Sequence, residues 1–175
     1  SISIAGSCPG MSIFRFSESL TGSDVYYRGA RSLLESACDF NGGSMQLTVV
    51  HGSRSPERRF SGRFRFSCAP KVAAPSVVCL PLSMNRAMYS TKILMPMEGE
   101  FSIGGESHRF DGPSSMGIID DHKGFYPYQM RYDWVTGFGA DAKGRRVGFN
   151  LTDNQVRDQA RYNENCLWIN NKVWP

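Results

Sequence analysis

Asp120, Asp121, His122 and Lys123 stand in a row within IIDDHKGFYPYQMRYDW, residues 118–134. Two carboxylates, an imidazole and an ammonium side by side are the side chains of proton transfer. A carboxyl group drawn out of water keeps its proton to higher pH and serves as a general acid toward a C=C or C=O bond. Neighbours on an extended strand point to opposite faces, so one of Asp120 and Asp121 points inward, and Asp120 shares its face with His122. The competing arrangement of the same residues is a charged turn in water, with His122 and Lys123 neutralising the acids.

Directly after the acids comes a period-two row: Tyr126, Tyr128, Met130, Tyr132 and Trp134 alternate with Pro127, Gln129, Arg131 and Asp133. Such alternation predicts a strand with one aromatic face from Tyr126 to Trp134. Aromatic side chains fill ordinary cores, yet in a small barrel the inward face also lines a ligand cavity. Tyr126, Tyr128, Tyr132 and Trp134, apolar bodies with polar ends, suit a mostly apolar site. Asn150, Asn163, Glu164 and Asn165 are the further candidates for polar contacts to a ligand. The same Asn and Glu side chains also serve to tie down irregular backbone.

The elements needed to carry these groups read as strands. SIFRF sets Phe14 and Phe16 against Arg15, MQLTVV is β-branched, and GRFRFSC alternates cleanly. EFSIGGESHRF predicts a hairpin around Gly104-Gly105. RRVGFNL separates Val147, Phe149 and Leu151 from Arg146, Gly148 and Asn150, and CLWIN is a further strand. ARSLLESACDF is ambiguous between two helical turns and a strand. DNQVRDQARY allows one short helical turn capped by Asp153, and APKVAAPSVVCLPLS is spaced by prolines like an irregular segment. The expectation is an all-β, mainly antiparallel chain with few short helices: a lipocalin-like (calycin) barrel, an open curved sheet or a sandwich.

Several chemistries lack their motifs. The chain of 175 residues has a formal net charge of +4 and 41% hydrophobic residues, ordinary values for a globular protein. No apolar run approaches the roughly 20 residues of a membrane-spanning helix. Arg54, Arg58, Arg59, Arg63 and Arg65 interleave with phenylalanines, but strict alternation makes this a strand with Phe64 and Phe66 inward, not a nucleic-acid surface. GFGADA, residues 137–142, matches G-x-G-x-x-A loosely; Lys143-Gly144-Arg145-Arg146 then turns into a strand, so a hairpin loop is expected. There is no P-loop, G-x-S-x-G or H-E-x-x-H motif. His51, His108 and His122 lack ligand spacing, so neither a metal nor another cofactor is expected. Cys8, Cys38, Cys68, Cys79 and Cys166 form no C-x-x-C pair and point to a reducing, cytoplasmic setting. The sequon at Asn150 is then incidental.

MYSTKILMPMEGEFSIGG, GIIDDHKGFYPYQMRYDWVTGFGADAKGRRVGFNLTDNQ and YNENCLWIN, from about Met88 to Trp168, resemble the uncharacterised domain-of-unknown-function family twenty-eight-zero-four of bacteria and some protists. A remoter resemblance joins Asp121, His122 and Gly124 to the Asp-His-x-Trp-Gly signature of the lipocalin-like carotenoid hydratase group. Its tryptophan is missing here, and one residue is lost before the glycine. That likeness implies a lipocalin-like fold, in that group a two-barrel one, and an acid that protonates an alkene of a long apolar substrate. The expectation is a single β domain over residues 1–175, a fragment of a longer protein. It would bind a hydrophobic, lipid-like or isoprenoid-like small molecule, with Asp121, His122 and Asp120 as the acid–base candidates. The alternative is a structural or interaction domain whose DDHK and NEN segments only stabilise loops.

Overall fold

The computed structural model describes residues 2–6, 14–18, 21–23, 26–28, 32–39, 43–112 and 114–175, with side chains from Gly43 onward except Pro113. The faces assigned to Phe14, Arg15 and Phe16, and the side chains of Cys8 and Cys38, therefore lie outside the described residues. Cys68, Cys79 and Cys166 are free thiols.

Antiparallel strands make up the described chain. The order is β1 (Ile2–Gly6), β2 (Phe14–Glu18), β3 (Thr21–Ser23), β4 (Tyr26–Arg28), β5 (Ser32–Asp39), β6 (Ser44–His51), β7 (Phe60–Ser67) and β8 (Pro75–Ser83). It continues with β9 (Arg86–Ile103), β10 (Glu106–Phe110), β11 (Met116–Gly124), β12 (Tyr132–Ala140), β13 (Arg146–Asn154), β14 (Cys166–Ile169) and β15 (Lys172–Trp174). Three sheets result: β1-β2; a nine-stranded sheet running β10-β9-β7-β6-β5-β4-β3, with β8 and β11 also on β9; and β12-β13-β14-β15. None of these strand paths closes into a barrel among the described residues. No α-helix occurs there; Pro56–Arg58 forms a single 3-10 turn. No described helix is long and apolar enough to cross a membrane.

Two of the ambiguous segments become β structure. Ser32–Asp39 within ARSLLESACDF forms β5, and the proline-spaced segment is irregular only up to Ala74 before entering β8. Pro75 opens that strand, and Pro81 sits at a register shift, the positions where a missing N–H is tolerated. DNQVRDQARY gives a turn anchored by Asp158, whose Oδ1 accepts from Ala160 N and Arg161 N, and not a helix capped by Asp153. Asp153 belongs to β13.

By contact density the chain divides into two compact units. One comprises Ser1–Asp39, Met45–Arg65 and Gly99–Arg109, the other Phe40–Ser44, Phe66–Glu98 and Phe110–Pro175. In the first, the alternation of RFRF holds, with Phe60 buried, Phe64 half-buried and Arg63 exposed, and the β9–β10 hairpin turns at Gly104-Gly105. In the second, β9 lies between β8 and β11, pairing antiparallel with both. Every second residue of β9 faces inward: Met88, Ser90, Lys92 and Leu94 are all buried. Met88 joins Leu80 and Leu82 in one apolar cluster, and Leu94 joins Met116, Cys166 and Trp168 in another. Ser90 and Lys92 stand between the two on the same face.

Across from that face lies β12-β13-β14-β15, oriented against its hydrophobicity. Gly148, Asn150 and Asn154 are buried, whereas Phe149 and Leu151 on the other face are exposed. Gly148 explains part of this, because a Cβ there would stand 2.5 Å from Leu94 Cδ2 and 3.2 Å from Phe138 Cβ. A side chain there would require Leu94 to move.

Candidate functional site

The antiparallel register of β9 and β11 sets Lys92 opposite Asp120 and Ser90 opposite His122. Directly opposed residues share a sheet face, so all four side chains converge on one side. Asp121 pairs with Thr91 and points to the other face, where it is exposed. The expected choice between the two acids thus falls on Asp120, whose side chain is 23% exposed.

Glu164, 3% exposed, arrives from the connection between β13 and β14. Lys92, 2% exposed, donates from Nζ to Asp120 Oδ1 at 2.5 Å and to Glu164 Oε2 at 2.7 Å. His122 Nε2 lies 3.0 Å from Lys92 Nζ, 3.0 Å from Asp120 Oδ1 and 3.1 Å from Glu164 Oε2. Ser90 Oγ donates to Glu164 Oε2 at 2.8 Å and Asn154 Nδ2 donates to Glu164 Oε1 at 3.1 Å. Burial pushes the Glu164 carboxyl up, but Lys92, Ser90 and His122 together outweigh it and hold Glu164 below the ordinary glutamate value. This buried carboxyl is therefore held in its ionised form.

Asp120, His122 and Glu164 each offer one ligand atom, all within 4.8 Å of one another, which is a donor set that divalent metals use. Lys92 Nζ stands at hydrogen-bonding distance from all three, the place a metal ion would take. Its charge takes that position from within the chain and opposes a metal ion at the same point.

These groups form the floor of a cleft of about 510 Å³. Tyr132 and Trp134 wall it from β12, Thr152 and Asn154 from β13, Met88 from β9, and Tyr126 and Met130 from the connection between β11 and β12. Trp134 Nε1 donates to Asn150 Oδ1 at 2.7 Å, and Asn150 Nδ2 donates to the Glu164 carbonyl at 2.9 Å. Asn150 therefore fixes the wall to the floor. Asn163 and Asn165 shape the connection: Asn163 Oδ1 accepts from Asn165 N, and Asn165 Oδ1 accepts from Thr152 N. Tyr126 is held above the ordinary phenol value by desolvation first, and by the carboxylates of Asp121 and Glu164.

One expected element is not a strand. Between Gly124 and Tyr132 the chain is irregular, and Tyr128 is fully exposed, at 101%. Pro127 supplies no N–H for a ladder, which breaks the alternating row despite its aromatics. Tyr126, Tyr132 and Trp134 still reach the cleft; Tyr128 does not. The GFGADA segment is a hairpin, with Asp141 N donating to the Arg145 carbonyl and Gly144 at φ 71°. Hydrogen bonds from Arg145 backbone and side chain hold the exposed Asp141 carboxyl below its ordinary value.

The model of the family described as Domain of unknown function (DUF2804) matches residues 7–175. The chain belongs to this family. No curated protein and no solved structure gives a significant match. Within the DUF2804 chain, the residues that sequence reading missed are Lys92, Ser90, Asn154 and Met130. A signal for Lys92 exists in MYSTKIL, where it alternates in step with Met88 and Leu94, both apolar.

Proposed function

We propose that the chain binds a small molecule with an apolar body and a polar end in the cleft between β9-β11 and β12-β13, and that Asp120 and His122 exchange a proton with that end. The observation that carries this reading is the Lys92–Glu164–Asp120–His122 cluster at the floor of an aromatic-walled cleft. Buried charges cost several kcal/mol each unless fully paired, and ionisable groups gathered in a concave apolar site mark functional positions. The cleft takes the part that the interior plays in a lipocalin-like barrel. Lys92 and Glu164 neutralise each other and hold the site in shape. His122, 36% exposed and within reach of both carboxylates, is the group placed to pass a proton between solvent or ligand and the floor. Acid-assisted addition of water or isomerisation at a double bond is chemistry of this kind, with Asp120 and His122 as the acid–base pair.

Native mass spectrometry of protein extracted gently from cells tests the reading. An apolar mass retained by the wild type and lost from Met130→Trp, which fills the cleft, supports it. Protein free of ligand in both forms sinks it.

A second reading is favoured by the bonds of Glu164, which accepts from Ser90, Lys92 and Asn154. Here the cluster only clamps the 155–165 connection onto β9. Asp120→Asn then lowers the melting temperature and leaves ligand retention unchanged; in the binding reading, retention falls.

A further inference from the structure

The side chains of the cleft also set the charge of the ligand it accepts, an inference that rests on the cleft being the binding site. Its floor holds one ammonium, Lys92, against two carboxylates, Asp120 and Glu164, with the His122 imidazole beside them. With a neutral imidazole the floor carries one negative charge in excess. An ammonium has three N–H groups, and Lys92 Nζ spends two of them on Asp120 and Glu164, with His122 Nε2 3.0 Å away. At 2% exposure it offers little to an incoming anion. Arg86, whose Nη1 donates to the Tyr126 carbonyl at 2.7 Å, is not among the residues that line the cleft. An anionic head would enter this site unpaired, at the cost of burying an uncompensated charge.

A cationic head meets the opposite conditions. Asp120 spends Oδ1 on Lys92 while its carboxylate lines the cleft. Tyr126, Tyr132 and Trp134 supply π faces to the walls, and Trp134 is pinned by its bond to Asn150. Aromatic faces and a carboxylate are the two groups that attract an organic cation. We infer that the cleft of this chain selects an apolar ligand with an ammonium head over one of the same length with a carboxylate or phosphate head.

Decylammonium, decanol and decanoate, each below its micellar concentration, are titrated at neutral pH by calorimetry and tryptophan fluorescence. Decylammonium is expected to bind at least about tenfold more tightly than decanoate, a difference of roughly 1.4 kcal/mol, with decanol between them. Asp120→Asn removes one carboxylate and is expected to abolish most of that preference. Where circular dichroism shows that variant unfolded, Tyr132→Leu at an exposed position serves instead. It should weaken decylammonium severalfold and leave decanol unchanged. Decanoate binding as tightly as decylammonium, or decanol matching decylammonium, overturns the inference while leaving the cleft as a binding site. A preference kept in the folded variants overturns it too. Binding of none of the three overturns the cleft reading and this inference together.

Discussion

Lys92 is the residue on which the site turns. Its side chain lies between two apolar clusters on β9 and is tolerated there because two carboxylates and an imidazole surround its Nζ. Lys92→Met would keep the volume and the methylene contacts but leave Glu164 and Asp120 facing each other without a counter-charge. Removing one partner of a buried pair costs about 3–5 kcal/mol, and urea unfolding should show a loss of that order. A midpoint equal to wild type would mean the cluster is not buried as described. Glu164 makes the same argument through pH. Its folded carboxyl titrates below the ordinary value of 4.5, so the unfolded chain takes up the proton first. The stabilisation is thus complete above about pH 4.5 and is lost as the pH falls through the folded value. Glu164→Gln should unfold more easily at neutral pH yet show a shallower fall in stability on acidification. Equal acid slopes for wild type and variant would rule out this linkage.

At the level of elements, β11 has to lie close enough to β9 for the charges to meet. Its last residue is Gly124, where a Cβ would stand 2.4 Å from the Ala87 carbonyl oxygen and 2.5 Å from Met88 Cα. These obstacles are backbone atoms, which cannot swing aside, so Gly124→Ala should cost about 1–3 kcal/mol and displace His122 two residues upstream. Weakened ligand binding together with a lowered urea midpoint is the expected pair of results; an unchanged midpoint would contradict the close approach. Much of this strand geometry was legible in the sequence. The period-two rule puts Asp120 and His122 on one face, and Gly104-Gly105 and GFGADA read as hairpin turns because short-range patterns determine them. Glu164 stood among the polar candidates, but its meeting with Lys92, Asp120 and His122 was not legible, because it depends on a register between segments 28 and 42 residues apart. A lysine alternating with Tyr89 and Thr91 looks solvated until its strand is covered on that side. The stretch from Tyr126 to Met130 misled for a different reason. Aromatic alternation there mimics a strand, and Pro127 outweighs it by denying the ladder a donor. Because Tyr128 is fully exposed, Tyr128→Ser should change stability by no more than about 0.5 kcal/mol, whereas a paired strand residue would cost more.

Over the second unit as a whole, the sheet β12-β13-β14-β15 turns Gly148, Asn150 and Asn154 of β13 inward and leaves apolar side chains of the same strand outside. Val135 pairs with Leu151, Phe149 with Leu167, and Leu167 with Trp174, so these five exposed residues form one continuous face. The inner face carries Asn150 and Asn154 because the site needs an acceptor for Trp134 Nε1 and a donor for Glu164, and it keeps its apolar packing in Trp168, whose Nε1 donates to the Ala74 carbonyl at 3.0 Å. Hydrophobicity alone would have assigned the two faces the other way round, with Phe149 and Leu151 in the core. The two assignments give opposite outcomes under mutation. Trp168→Ala should cost about 3–5 kcal/mol, the loss from emptying a well-filled core position, whereas Leu151→Lys should shift stability by no more than about 0.5 kcal/mol. Leu151→Lys should also lower the fluorescence of the apolar dye anilinonaphthalene sulfonate bound to the protein, because it interrupts the exposed patch. If Leu151→Lys unfolds the protein and Trp168→Ala does not, the sheet faces the other way and the cleft walled by Tyr132 and Trp134 does not exist.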